Sequence, residues 1–229
     1  MASIELKLQQ VLQRIERACV QAKRPVQSVT LLAVSKTFGA DVVREAHAAG
    51  QRAFGENYVQ EALAKITGLA TLEPRVAWHL IGPLQSNKTR EVAAAFDWVH
   101  SIDRLKIAER LSAQRPAHLE PLQLCLQVNV SGEASKSGVA PHDLPALARA
   151  VSALPRVRLR GLMAIPEPVD DFDAQRMPHR RLRELLETLR ADGLALDTLS
   201  MGMSADLEAA IAEGATMVRV GSALFGARD

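Results

Sequence analysis

Between residues 4 and 19 the apolar side chains Ile4, Leu8, Val11, Leu12, Ile15 and Cys19 recur at helical spacing, which predicts an amphipathic helix over 3–23 with Ser3 as N-cap and Pro25 as its stop. The pattern then changes. Residues 29–36, V-T-L-L-A-V-S-K, form a β-rich, nearly continuous apolar run of the kind found in strands covered on both faces. From there the two patterns alternate to the end of the chain. Strands are predicted over 52–55, 76–81, 97–102, 122–130, 157–163, 198–201 and 217–220. Helices are predicted over 41–49, closed by Gly50, then 58–69, 85–95, 105–115, from about Pro141, 180–191 and 206–212. Pro145 fits its helix only near the first turn. Residues 164–178 read as a loop, either a lid or an acidic surface segment. About eight strand-helix units is the number at which a parallel sheet closes on itself. The expected fold is therefore α/β, a single TIM-type (β/α)8 barrel with an additional N-terminal helix, one domain over 1–229. An open doubly wound sheet is the alternative, since it draws on the same alternation, but no G-x-G-x-x-G follows the first strand.

Strand parity turns this pattern into candidate chemistry. With period 2, Thr30, Leu32, Val34 and Lys36 share one side of the first strand, so an inward-facing set would leave Lys36 at the barrel mouth. A lysine there either reaches into water, or it is paired, has its pKa lowered, or is converted to an imine with an aldehyde. After the seventh strand comes S-M-G-M-S, in which Gly202 allows close backbone approach and Ser200 and Ser204 offer hydroxyls. After the eighth comes R-V-G-S-A-L-F-G, in which Gly221 and Ser222 open a short apolar segment suited to an extra helix. Each loop alone is ordinary turn chemistry; together, at the two places where barrels hold phosphate, they predict a phosphate site. Arg219 shares the parity of Met217 and Gly221, and a buried guanidinium needs an acceptor, whether a carboxylate or a ligand. Asn57, His79, Asn129 and Met163 are further inward candidates, whereas Lys88 and Lys136, near helix starts or loops, read as solvated charges.

Composition narrows the function classes. At 229 residues and 48% hydrophobic content the chain can bury a substantial core. A net charge of +2 with 3% aromatics gives no push towards nucleic acid. Cys19 and Cys125 lack metal-ligand or redox spacing and fit buried thiols in a reducing compartment. The N-terminus has no apolar signal core, and no later run is long enough to span a bilayer, so a cytoplasmic protein is expected. No metal-ligand spacing, G-x-S-x-G elbow or Walker loop is found.

A-V-S-K-T around Lys36, F-G-E-N-Y-V-Q-E from Phe54, W-H-L-I-G-P-L-Q-S-N-K from Trp78, N-V-S-G-E from Asn129, K-S-G at Lys136, G-L-M-A-I-P from Gly161, S-M-G-M-S and V-R-V-G-S-A-L-F-G occur in this order. In these motifs the chain resembles the pyridoxal phosphate homeostasis protein family of the YggS type, a fold type III barrel similar to the N-terminal domain of bacterial alanine racemase. The resemblance implies that Lys36 forms an internal aldimine with pyridoxal 5'-phosphate and that Arg219 faces the pyridine nitrogen. It further implies that Ser204, Gly221 and Ser222 hold the phosphate, with Asn57, His79 and Met201 also about the cofactor. Ser222 stands where the family often has Thr, a change that keeps the hydroxyl. The family is regarded as carrying the cofactor and maintaining vitamin B6 and amino-acid balance; apo-enzymes that use pyridoxal phosphate are the implied partners, and a monomer is expected. Two other functions remain open: an amino-acid racemase or lyase with a reduced site, and a Schiff-base aldolase acting on a phosphosugar. Also open is whether Lys136 or another lysine holds a second cofactor.

Overall fold

Eight parallel strands pair in sequence order and close on themselves, with the first joined to the eighth, in a computed structural model that describes residues 2–131 and 137–226. They are β1 (Thr30–Val34), β2 (Ala53–Glu56), β3 (Ala77–Leu80), β4 (Trp98–Ile102), β5 (Leu122–Gln127), β6 (Val157–Met163), β7 (Thr198–Ser200) and β8 (Met217–Val220). The helices are α1 (Ile4–Gln21), α2 (Ala40–Ala48), α3 (Val59–Gly68), α4 (Thr89–Ala95), α5 (Leu105–Gln114), α6 (Leu144–Ser152), α7 (Phe172–Ala191), α8 (Leu207–Ala212) and α9 (Ser222–Phe225). This is the closed barrel, with its leading helix, that the alternation predicts; the open sheet is excluded by the β1–β8 pairing.

The pleat divides the core into two layers. Leu31 and Ala33 of β1 point outward and belong to one large apolar cluster with the inner faces of the helices. Leu32 is in register with Arg219, and Val34 with Gly55, which in turn aligns with His79. Neighbouring residues in register share a face of the sheet, so the barrel interior holds an arginine and a histidine among its apolar side chains.

Helix α1 buries Leu8, Val11, Ile15, Ala18 and Cys19 against the barrel's outer helices, and Ser3 caps it by accepting from the Leu6 N–H at 3.2 Å. Leu12, included in the apolar stripe, is instead 46% exposed. The helix packs on α2, α8 and α9, and Arg14 clamps it to α8 through two hydrogen bonds to Glu208 at 2.9 Å each.

Several boundaries depart from expectation: α4 begins at Thr89, after a 3-10 turn over Ser86–Lys88, not at Gln85, and α6 begins at Leu144, not near Pro141. Helix α7 begins at Phe172, not Arg180, and runs through Pro178, so the loop after β6 is confined to the residues before it. Asp171 caps this helix by accepting from the Ala174 N–H at 2.8 Å, and buried His179 anchors it, so the proline marks no boundary. Strand β5 stops at Gln127, after which Val128 makes only an isolated bridge to Val139. No helix among the described residues is long and apolar enough to cross a membrane.

Candidate functional site

A cavity of about 290 Å3 opens at the C-terminal ends of the strands, the end where a barrel's loops converge. Lys36, Asn57, Ser204, Arg219, Gly221 and Ser222 line it, drawn from β8 and from the segments after β1, β2, β7 and β8. Val34, Ile81, Ile165 and Met203 supply apolar wall. Of the eight residues that the resemblance implies about the cofactor, six line the cavity; His79 and Met201 are buried and do not line it, and neither do Ser200, Gly202, Asn129 and Met163. Lys136 lies outside the described residues.

Lys36 is half-buried, two residues past the end of β1. Arg219 is 4% exposed, and among the described residues no carboxylate is hydrogen-bonded to its guanidinium. Its Nη1 donates to the Ser200 carbonyl at 2.6 Å and the Ser200 hydroxyl at 2.9 Å, and its Nη2 donates to the Ala164 carbonyl at 2.8 Å. These bonds use three of the five N–H groups of a guanidinium. Burial lowers its pKa to about 10, with Asp206 and Cys125 opposing the shift, so it remains a cation near neutrality.

The two predicted phosphate loops come together here. Gly202 has φ +89°, and a Cβ on it would come within 2.4 Å of the Ala210 Cβ, so its backbone lies against α8 where a side chain cannot fit. Gly221 packs on β1, where a Cβ would meet the Val34 carbonyl oxygen at 3.2 Å. The β7 loop is held from three directions. The Met203 N–H donates to Asp206 Oδ1 at 2.6 Å, His179 Nε2 meets Asp206 Oδ2 at 2.9 Å, and Arg14 donates to the Ser204 carbonyl at 3.1 Å. Burial pushes the Asp206 carboxyl up, but the hydrogen bonds from His179 and Met203, with the Arg219 charge, bring it below its usual value.

Ser200 is a correction. Offered by the sequence as a phosphate hydroxyl, it is fully buried and joins a polar chain through the barrel interior. From Arg219 this chain passes to the Ser200 Oγ, then to His100 Nδ1 at 2.8 Å, and from His100 Nε2 to His79 Nδ1 at 3.0 Å. His79 stacks on Trp98 with ring centroids 5.3 Å apart, and the Arg160 guanidinium carbon lies 5.0 Å from the Trp98 ring. Burial lowers the His79 pKa to about 3 and holds His100 well below its usual value, with the His79 and Arg219 charges adding to the latter shift. Both imidazoles are therefore neutral, and hydrogen-bonded to each other as a buried pair must be. Cys125 is also enclosed, and burial pushes its thiol up to about 12.

The chain matches known proteins over nearly its whole length. A family model described as alanine racemase, N-terminal domain, matches residues 8–229. A pyridoxal phosphate homeostasis protein from Pseudomonas aeruginosa is 65% identical over 229 residues, covering 100% of this chain and 97% of that one. The chain belongs to the pyridoxal phosphate homeostasis protein family. Its relative from Escherichia coli K12 is 52% identical over 234 residues, with 100% of this chain and 98% of that one covered. Among solved structures of the family, PipY of Synechococcus elongatus with PLP bound superposes with a TM-score of 0.82 at 42% identity, covering 97% of this chain and 100% of that one. Alanine racemase from Corynebacterium glutamicum, with a TM-score of 0.66 at 18% identity and only 61% of its own length covered, shares the fold.

Proposed function

We propose that the chain binds pyridoxal 5'-phosphate in the 290 Å3 cavity, held covalently through Lys36, and that it buffers and carries the cofactor without turning over amino acids. One observation carries this reading: an amine, a guanidinium with no carboxylate hydrogen-bonded to it among the described residues, and both predicted phosphate loops line a single cavity. The residues suit the group. Ser204 and Ser222 offer hydroxyls, and the backbone at Gly221 offers close approach to a dianionic phosphate. Lys36 would hold the group through its amine nitrogen on the aldehyde carbon, the two amine protons leaving with the aldehyde oxygen as water. Arg219 would hold the ring nitrogen as a donor. A guanidinium that stays protonated can only donate, so it leaves that nitrogen without a proton.

Bound pyridoxal phosphate supplies an electron sink for amino-acid chemistry, and a donor at the ring nitrogen weakens that sink. Proton removal and return at an α-carbon also need bases on the faces concerned. Among the residues lining the cavity Lys36 is the one side chain suited to act as a base. Tyr58 is 59% exposed and does not line the cavity, and His79 is enclosed with its Nδ1 on His100. We infer that the protein works as a monomer in the cytoplasm and passes the cofactor to apo-enzymes that use it; in support, one chain supplies every group named above. Incubation of the loaded protein with each common amino acid in heavy water, followed by NMR, tests the reading. Loss of the α-proton is expected to be negligible. Exchange at about 1 per second or faster, abolished by Lys36→Ala, would replace the carrier with a racemase or lyase.

A further inference from the structure

The backbone on both sides of Lys36 is gripped from outside the barrel by a buried ammonium. Lys65 of α3 is 5% exposed, and its Nζ donates to the Ser35 carbonyl at 2.8 Å, to Glu56 Oε1 at 2.8 Å and to Glu61 Oε1 at 2.6 Å. Each carboxylate then returns to the chain beside Lys36. Glu56, at the end of β2 and fully buried, accepts from the Ser35 hydroxyl at 2.6 Å. Glu61 accepts from the Thr37 N–H at 2.7 Å. One cation thus ties down the residue before Lys36 and, through Glu61, the residue after it.

The segment so held is a turn that its own sequence does not favour. The Phe38 N–H donates to the Ser35 carbonyl at 3.1 Å, so Lys36 and Thr37 are the central residues of a β-turn. Thr37 has φ +70°, while Lys36 is not among the positive-φ residues, which is the pattern of a type II turn. Its third position calls for glycine, and a β-branched residue there is strained. Released from Glu61 and Lys65, this turn would relax towards other conformations and move the Lys36 side chain with it. A link that only stapled α3 to the sheet would not need to meet the residues on both sides of Lys36.

We propose that Lys65, acting through Glu56 and Glu61, is a positioning residue that holds the strained Ser35–Phe38 turn so that the Lys36 amine meets the cofactor's aldehyde carbon. The proposal rests on the reading that Lys36 captures that aldehyde. Pyridoxine 5'-phosphate separates positioning from folding, because it has the same ring and phosphate but an alcohol in place of the aldehyde. The affinity of the full-length protein for each compound is measured by equilibrium dialysis, and the ratio of the two dissociation constants gives the covalent preference. Lys65→Met and Glu61→Ala are expected to cut this preference on the order of tenfold or more, with pyridoxine 5'-phosphate bound as before. Glu61 is 31% exposed, so its variant keeps the test open if Lys65→Met does not fold. Glu61→Gln retains an acceptor for the Thr37 N–H and should keep the preference, and adding Thr37→Gly to Glu61→Ala should restore it. An unchanged preference in Glu61→Ala, or an equal loss of both compounds, would overturn the positioning role. A preference that survives in Lys36→Ala would overturn the Lys36 reading itself, and the proposal with it.

Discussion

Acid should destabilise this protein through its two interior histidines well before its carboxylates titrate. His79 is held at about 3 by burial, against roughly 6.5 in an unfolded chain, and His100 is shifted the same way. As pH falls below about 6.5 the unfolded chain takes up protons that the folded chain cannot, so stability is present above that pH and is lost as pH falls towards 3. For His79 alone this amounts to about 1.4 kcal/mol per pH unit over most of that window, or about 3 kcal/mol between pH 7 and pH 4. That is a large fraction of the roughly 5–15 kcal/mol that keeps a domain folded. Glu56 works in the opposite direction: burial raises its pKa despite the Lys65 and Ser35 hydrogen bonds, so the folded state binds its proton first. The histidine contribution is therefore best read as a difference between two proteins. Urea unfolding followed by circular dichroism, from about pH 7 to about pH 4, would compare the wild type with His79→Gln, which keeps a polar partner for His100 but cannot charge. The wild type should lose stability more steeply by about 1.4 kcal/mol per pH unit. Parallel pH profiles for the two proteins would refute the neutral buried pair.

Borohydride reduction of the loaded protein should place the pyridoxyl adduct on the Lys36 peptide, and Lys36→Ala should lose the visible absorption band; an adduct chiefly on Lys88 would reassign the site. Pyridoxal lacking the phosphate should bind more weakly by about a hundredfold, since charge-assisted hydrogen bonds from the Ser204 and Ser222 loops are lost. Similar affinities in a spectrophotometric titration would mean that those loops do something else. Arg219→Glu should favour a protonated ring nitrogen and shift the absorption maximum with Lys36 still attached. An identical spectrum and affinity would place Arg219 outside the site.

Much of this architecture can be read from local pattern. Apolar period alone separates strands from helices, and pairing with Leu32 puts Arg219 on the inward face that parity predicts, with Lys36 lining the same cavity. What escapes the pattern depends on contacts across the barrel. Ser200 looks like any loop hydroxyl until Arg219, 19 residues on, and His100, 100 residues back, draw it inside. Lys65 looks like an ordinary helix-surface partner for Glu61 four residues earlier, and only the distance to Glu56 and Ser35 shows it to be buried. His100 carries a weak signal, since it precedes the end of β4 by two residues, as Arg219 nearly does in β8, but nothing local says that His79 will meet it. The start of α7 was hidden by Pro178, because a proline's usual role as a boundary is overridden here by the Asp171 cap and buried His179.

The cavity also has a timetable. It takes Lys36 from just after the first strand and Arg219, Gly221 and Ser222 from the eighth strand and the loop after it, and Arg14 waits for Ser204 and Glu208 before α1 can settle. On the ribosome, where a chain emerges N-terminus first, the lysine is made long before the guanidinium and the loop after β8 exist. A nascent molecule therefore presents Lys36 before its partners across the cavity have formed, and the cavity comes into being only when β8 docks beside β1.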